Sequence, residues 1–252
     1  MISDALTTKS ALVSGAGARG GIGFAIAKAL SDAGAKVFVT STTDRIFDRA
    51  KEINATGFVA DLTIEAECEK LISTIPDLDI LVNNAGMTSL TEPLSSDEAT
   101  DLTSVTQVGW QRGISRNLDT AFNLTKSALP KLRKSKSGRI IFIGSVTGGL
   151  MAMANQPVYA TAKAALAGLN KSLALDEAKY GITSNLVLPG WIATDTQSAH
   201  ERLQGMKSPL GRNGRPEEIA GIVAFLASES AGYLTGQSIV VDGGNSIAEE
   251  RA

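Results

Sequence analysis

The chain has 252 residues, 43% of them hydrophobic, which suffices for one large core and for a single α/β domain over 1–252. Its 24 basic and 26 acidic residues leave a formal charge of −2, so no electrostatic footprint points to nucleic acid or to an anionic membrane. Cys68 is the sole cysteine, which excludes an intramolecular disulfide and a multi-cysteine metal site, and His200 is the sole histidine, which argues against a histidine-based zinc dehydrogenase.

The first ten residues lack a basic stretch followed by an apolar run, and no segment reaches ~18 uninterrupted apolar residues. A soluble chain in a reducing cytoplasm is the expectation. Short apolar runs alternate with helical periodicity throughout, the pattern of βαβ units on a parallel sheet. Strands are expected near 10–14, 36–41, 57–60, 78–83, 138–145, 182–188 and 236–241, with helices near 21–33, 44–54, 64–74, 108–134, 157–180 and 216–228. Right-handed crossovers then give a doubly wound parallel sheet of seven strands, a Rossmann-type α/β fold with helices on both faces.

The first strand runs into Gly15-Ala-Gly-Ala-Arg-Gly-Gly21-Ile-Gly23, and a helical run follows from Phe24. Glycines at a strand-to-helix turn let the backbone approach a pyrophosphate, and the helix N-terminus supplies free N–H groups. The second strand ends in Thr40-Ser41-Thr42, where an NAD-preferring site places an acid about 20 residues after the loop. No carboxylate stands there to repel a 2′-phosphate, and Ser41, Thr42 and Arg19 can donate to one. NADP(H) is therefore favoured over NAD(H). Asp44 is the counterargument, although a helix start accounts for an acid at that position.

Two stretches fit no regular element. Met87 to Gly109, rich in Ser, Thr, Asp and Glu, lies beside the cofactor motif and reads equally as a site entrance or as a surface excursion. Asp195 to Asn213, with Gly205, Pro209 and Gly211, reads as a substrate lid, with a disordered loop as the alternative. His200 falls in it and is expected on the surface.

Between them Ser145 ends an apolar strand, and Tyr159 and Lys163 open a helical pattern. Residues four apart share a helical face, so the Lys163 ammonium can sit beside the Tyr159 phenol. A phenol titrates near ~10, and a neighbouring cation lowers that toward the working range of an acid/base catalyst. Tyr-x-x-x-Lys alone fits a helix-surface pair equally well. The glycine loop on the same chain decides for chemistry.

In order along the chain stand Ala11-Leu-Val-Ser-Gly15 with its loop, Asp61-Leu62, Asn83-Asn-Ala-Gly86, Asn117, Ser145, Tyr159 with Lys163, Pro189-Gly-Trp-Ile-Ala-Thr194 and Val241-Asp-Gly-Gly244. Over essentially its whole length the chain resembles the short-chain dehydrogenase/reductases, in their single-domain subclass, with the 3-oxoacyl-carrier-protein reductases similar in overall pattern. That resemblance implies catalysis by Asn117, Ser145, Tyr159 and Lys163. Tyr159 would give the proton, Ser145 hold the carbonyl oxygen, Lys163 bind ribose and tune the phenol, and Asn117 hold a relay water. It implies cofactor contacts at Gly15, Arg19, Gly21, Ile22 and Gly23, adenine contacts at Asp61 and Leu62, and ribose and nicotinamide contacts at Asn84, Ala85 and Gly86. Pro189, Gly190, Ile192 and Thr194 would fix the carboxamide. The glycine loop is longer than the family's usual spacing, which leaves the register of Gly17, Ala18 and Arg19 open.

The implied activity is NADPH-dependent reduction of a small ketone or ketoester, reversible as an alcohol dehydrogenase and without a metal. A 3-oxoacyl-carrier-protein reductase and an NAD-dependent secondary-alcohol dehydrogenase are the alternatives within the family. A nucleotide-binding regulator and a methyltransferase are those outside it. Relatives of this kind are commonly homotetramers joined through the 108–134 and 157–180 helices and the last strand. At the end of the Tyr159 helix, where carrier-protein reductases tend to present arginine, this chain has Tyr180 with Asp176 and Glu177 close by.

Overall fold

In the computed structural model, which describes residues 6–86 and 95–249, seven strands pair in parallel in the order β3-β2-β1-β4-β5-β6-β7. They are β1 (Ser10–Ser14), β2 (Lys36–Ser41), β3 (Thr56–Val59), β4 (Ile80–Asn83), β5 (Arg139–Ile143), β6 (Thr183–Pro189) and β7 (Ser238–Val241). The central strands are buried on both faces, which is why they read as unbroken apolar runs. Successive side chains enter opposite layers: Ala11 and Val13 join one core and Leu12 the other, as do Ile141 and Ile143 against Ile140 and Phe142.

The first core lies under α1 (Ile22–Asp32), α2 (Arg45–Glu52) and α9 (Pro216–Ala227), which contribute Ile26, Leu30, Ile46, Ile219 and Val223. The second lies under α3 (Glu65–Thr74), α5 (Thr120–Ser135) and α7 (Pro157–Asp176), with Leu71, Leu124, Leu132 and Leu166. Each such fully buried side chain stabilises the fold by ~1.5–3 kcal/mol. Among the described residues no helix is long and apolar enough to cross a membrane.

Three departures from the sequence reading concern the site. The helix expected over 108–134 is α4 (Gln107–Ile114), a π-helical turn Ser115–Asp119 and then α5, so Asn117 lies in the π turn. The segment 195–213 is not wholly irregular: it holds α8 (Ala199–Met206), started by a capping box in which Ser198 and Glu201 satisfy each other's backbone N–H. A single irregular turn, α6 (Val146–Gly149), separates β5 from α7.

The stretch from Met87 lies outside the described residues as far as residue 94. Its remainder is fastened to the helix ahead of Asn117. Glu98 and Arg116 form a buried ion pair, Asp97 receives Arg112 at 3.3 Å, and the Thr106 hydroxyl caps α4 by accepting from the Gly109 amide at 2.9 Å.

Candidate active site

Chain order reverses at β1, with β2 on one side and β4 on the other, and a doubly wound sheet opens its ligand crevice at such a switch point. The predicted residues gather there, at the C-terminal ends of the strands. Gly15 turns out of β1 with φ +69°, and a Cβ on it would stand 2.9 Å from the Ala85 Cα. Gly21 is the N-cap of α1, so the amides of Ile22 and Gly23 in the first turn have no partner within the helix. A Cβ on Gly23 would lie 2.5 Å from both the Asn84 Nδ2 and the Gly15 carbonyl oxygen. The glycines thus pack α1 closely on the end of β1, and in this cradle the free amides of the first turn of α1 suit the pyrophosphate of a dinucleotide.

Asn84 and Ala85 build this cradle from the far side. Asn84 Nδ2 donates to the carbonyls of Ser14 and Gly15 at 3.0 and 3.1 Å, while the Ser14 hydroxyl accepts from the amides of Asn84 and Ala85, each at 3.0 Å. Gly23→Val is expected to shut it. Overpacking at a backbone contact costs about 1–3 kcal/mol, so thermal melting should show loss of stability and equilibrium titration should show no dinucleotide binding.

At the end of β2 the Ser41 hydroxyl donates to the Thr43 carbonyl at 3.0 Å, and Thr42 is half-buried. Asp44 is exposed at the N-cap of α2, and its side chain makes no capping hydrogen bond. Arg19 does not reach toward Ser41; its Nε pairs with Glu52 at 3.1 Å. Asp61 is exposed and its carboxylate accepts from the amide and hydroxyl of Thr63 at 2.9 and 2.7 Å, whereas the Leu62 side chain is buried in the second core. The Leu62 carbonyl accepts from Asn123 Nδ2 at 3.1 Å, which leaves the backbone amide for a ligand.

On the catalytic side, Ser145 stands just past β5 and its Oγ accepts from the Thr147 amide at 3.1 Å, leaving its own proton to donate. Tyr159 is half-buried. Lys163 is only 5% exposed, with its Nζ 5.8 Å from the Tyr159 ring centre and 3.2 Å from the Ile143 carbonyl, to which it donates. Asn117 donates to the Gly113 carbonyl at 3.0 Å. A Cβ on Gly86 would meet the Asn117 Oδ1 at 3.1 Å and the Lys163 Nζ at 3.2 Å, so these two groups converge over Gly86.

The electrostatics differ from the sequence expectation in one respect. Burial pushes the Tyr159 phenol up, a hydrogen bond with Ser145 pulls it down, and the charge of Glu201 adds to the rise. Burial also pushes the Lys163 ammonium down to about 8. Adjacency on a helix was legible, but burial is the largest influence on the phenol.

Pro189 ends β6, and the Gly190 amide donates to the Val241 carbonyl at 3.0 Å, where a Cβ on Gly190 would strike Asp242. Ile192 is buried and bridges Gly214; the Thr194 hydroxyl lies 3.3 Å from that of Thr196. His200 is exposed, though on α8 and not in a loop. Sequence reasoning missed two acids that the fold brings in. Glu201 acts on the Tyr159 phenol, and the Asp195 carboxylate accepts from the Gly20 amide at 2.7 Å, joining the 195–213 segment to the glycine loop.

A family model described as enoyl-(acyl carrier protein) reductase matches residues 15–246. The 3-oxoacyl-[acyl-carrier-protein] reductases of Salmonella typhimurium and Escherichia coli are 41% and 40% identical to the chain, each over 94% of it and 96% of the relative. A double mutant of a Serratia marcescens short-chain dehydrogenase/reductase superposes with a TM-score of 0.85 at 32% identity, over 96% of this chain and 99% of that one. A crystal structure titled as a putative gluconate dehydrogenase from Agrobacterium tumefaciens gives 0.87 at 29%, over 98% and 99%.

Proposed function

The chain belongs to the short-chain dehydrogenase/reductase family, and from that premise we propose that it is an NADPH-dependent carbonyl reductase, reversible as an alcohol dehydrogenase. Its class is that of NAD(P)-dependent oxidoreductases acting on CH–OH and C=O. The observation that carries the reading is a connected set: Ser145 hydrogen-bonds Tyr159, Lys163 lies 5.8 Å from the Tyr159 ring centre, and Lys163 and Asn117 meet beside Gly86.

When bound, the nicotinamide cofactor supplies the hydride. The protein must then place a proton donor at the carbonyl oxygen as negative charge develops there. A phenol held above its ordinary value stays protonated at neutral pH, so Tyr159 enters the reductive direction loaded. Ser145, whose oxygen already accepts from Thr147, turns its O–H to the substrate oxygen. Lys163 would hold the ribose, and Asn117, whose Oδ1 approaches the same point over Gly86 as the Lys163 ammonium, would hold a proton-relay water.

The absence of a carboxylate at Ser41-Thr42, with Asp44 turned to solvent, supports NADP(H) over NAD(H). Large exposed apolar side chains on the helices and strand expected to join subunits, Val108, Phe122, Leu175 and Val240, support a homotetramer. A cytoplasmic location accords with the single, buried Cys68.

For the substrate we favour a small free ketone or ketoester. Arg133, at the end of α5, is engaged: it holds Glu177 through two hydrogen bonds of 2.7 Å and lies 4.8 Å from the Tyr180 ring, so its charge is already paired before an acidic carrier protein could use it. Carrier-bound 3-oxoacyl chains are the second reading, favoured by the 41% identity to an enzyme named for that substrate. Steady-state kcat/KM for a β-ketoester against the matching carrier-bound thioester, with NADPH and with NADH, tests both points. The expected result is a higher value for the ketoester. A carrier-bound advantage of about a hundredfold that vanished at high salt would reverse the order, since carrier docking is electrostatic.

A further inference from the structure

Arg45 is the first residue of α2, separated from the end of β2 by Thr42, Thr43 and Asp44. The turn between them carries its side chain back over the mouth of the sheet. A Cβ on Gly17 would stand 2.7 Å from the Arg45 Nε and 3.0 Å from the Ser41 Oγ, so the guanidinium spans the gap between the glycine loop and the end of β2. Its Nε is buried and makes no hydrogen bond, and among the described residues Arg45 enters no salt bridge. A buried N–H without an acceptor calls for one from outside the chain.

The cation that the motif marks is differently placed. Arg19 is largely exposed and pairs with Glu52, and Glu52 also takes Arg49 at 2.6 Å. One acid thereby holds two arginines on the outer face of α2. Arg45 is left as the cation that faces Ser41, at the strand end where a doubly wound fold reads the adenosine ribose.

We propose that Arg45, and not Arg19, receives the 2′-phosphate of the cofactor and sets the preference for NADP(H), with Ser41 beside it. The inference rests on the NADP(H) reading given above. A planar guanidinium meets phosphate through two parallel N–H donors, which an ammonium cannot reproduce.

The test is equilibrium binding of NADPH and NADH to the wild type and to Arg45→Ala, Arg45→Lys and Arg19→Ala, followed by fluorescence, with 2′,5′-ADP and 5′-AMP as competitors. Circular dichroism checks the fold of each variant. Arg45→Ala should weaken NADPH and 2′,5′-ADP by roughly tenfold or more, with NADH and 5′-AMP within about twofold. Arg45→Lys should fall between, and it carries the test by itself if the alanine variant does not fold. Arg19→Ala should leave the ratio of the two cofactors unchanged. Equal losses for NADPH and NADH would overturn the proposal, as would a loss confined to Arg19→Ala. A wild type that binds NADH better than NADPH would instead overturn the cofactor reading on which the proposal rests.

Discussion

Tyr159→Phe is expected to lower kcat for ketone reduction by about a thousandfold, within the ~10²–10⁴ that a positioned proton donor contributes. The ring stays, and with it the packing at the start of α7 and the place of Lys163 5.8 Å from its centre. Only the transferable proton and the hydrogen bond to Ser145 are removed. Dinucleotide affinity should therefore hold within about twofold, because the cradle at Gly15, Gly23 and Asn84 is untouched. Single-turnover kinetics beside equilibrium binding separates the two quantities. A variant keeping more than a tenth of the wild-type rate would mean that another group donates the proton.

Lys163→Met should damage binding and rate together, because the proposed mechanism gives this ammonium the ribose to hold and it lies 5.8 Å from the Tyr159 ring centre. Its burial also makes a prediction in pH. The ammonium, held near 8 in the folded chain, is present below that value and lost above it, so wild-type dinucleotide affinity should decline as pH rises through about 8. In Lys163→Met the decline should be missing. Folding stability runs the other way. A lysine depressed from 10.5 to about 8 leaves the unfolded chain binding more protons between those values, so wild-type stability should rise with pH across that window.

At neutral pH the methionine variant should accordingly be more stable than the wild type. The depression alone corresponds to something on the order of 3 kcal/mol, reduced by about 1 kcal/mol for the lost hydrogen bond to the Ile143 carbonyl. Melting temperatures at pH 7 and at pH 10 check the sign. A stability gain with a loss of function is what a charge retained for chemistry produces. Flat wild-type affinity between pH 7 and pH 9 would place the ammonium away from the dinucleotide.

Much of the fold was legible because a parallel sheet covered on both faces writes each strand as a short apolar run. β1 and β2 match the expected bounds, and the others differ by a few residues at their ends. The π turn was not legible, since one extra residue in a helical register leaves composition unchanged while it redirects Asn117. α8 had its signal in Ser198 and Glu201, three apart at a helix start. Gly205, Pro209 and Gly211 outweighed it, although they mark the end of that helix and the turn after it.

The catalytic residue types and their spacing were likewise readable, but their titration was not. Whether Lys163 lowers the phenol depends on how much water each group retains, and that is set by α6, α8 and β5, which lie elsewhere in the sequence. Arg45 escaped notice for a related reason. The search for a ribose contact stops at the end of β2, whereas the guanidinium returns to that point from the far side of a turn.

Asp195 and Gly20 are 175 residues apart in sequence, yet one hydrogen bond joins them, and any anion that takes the Gly20 amide takes it from Asp195. An anion at the Gly20 amide and the Asp195 end of the 195–213 segment then compete for one donor. Linkage makes the coupling reciprocal: whatever holds the segment down loosens the hold on an incoming phosphate by the same factor.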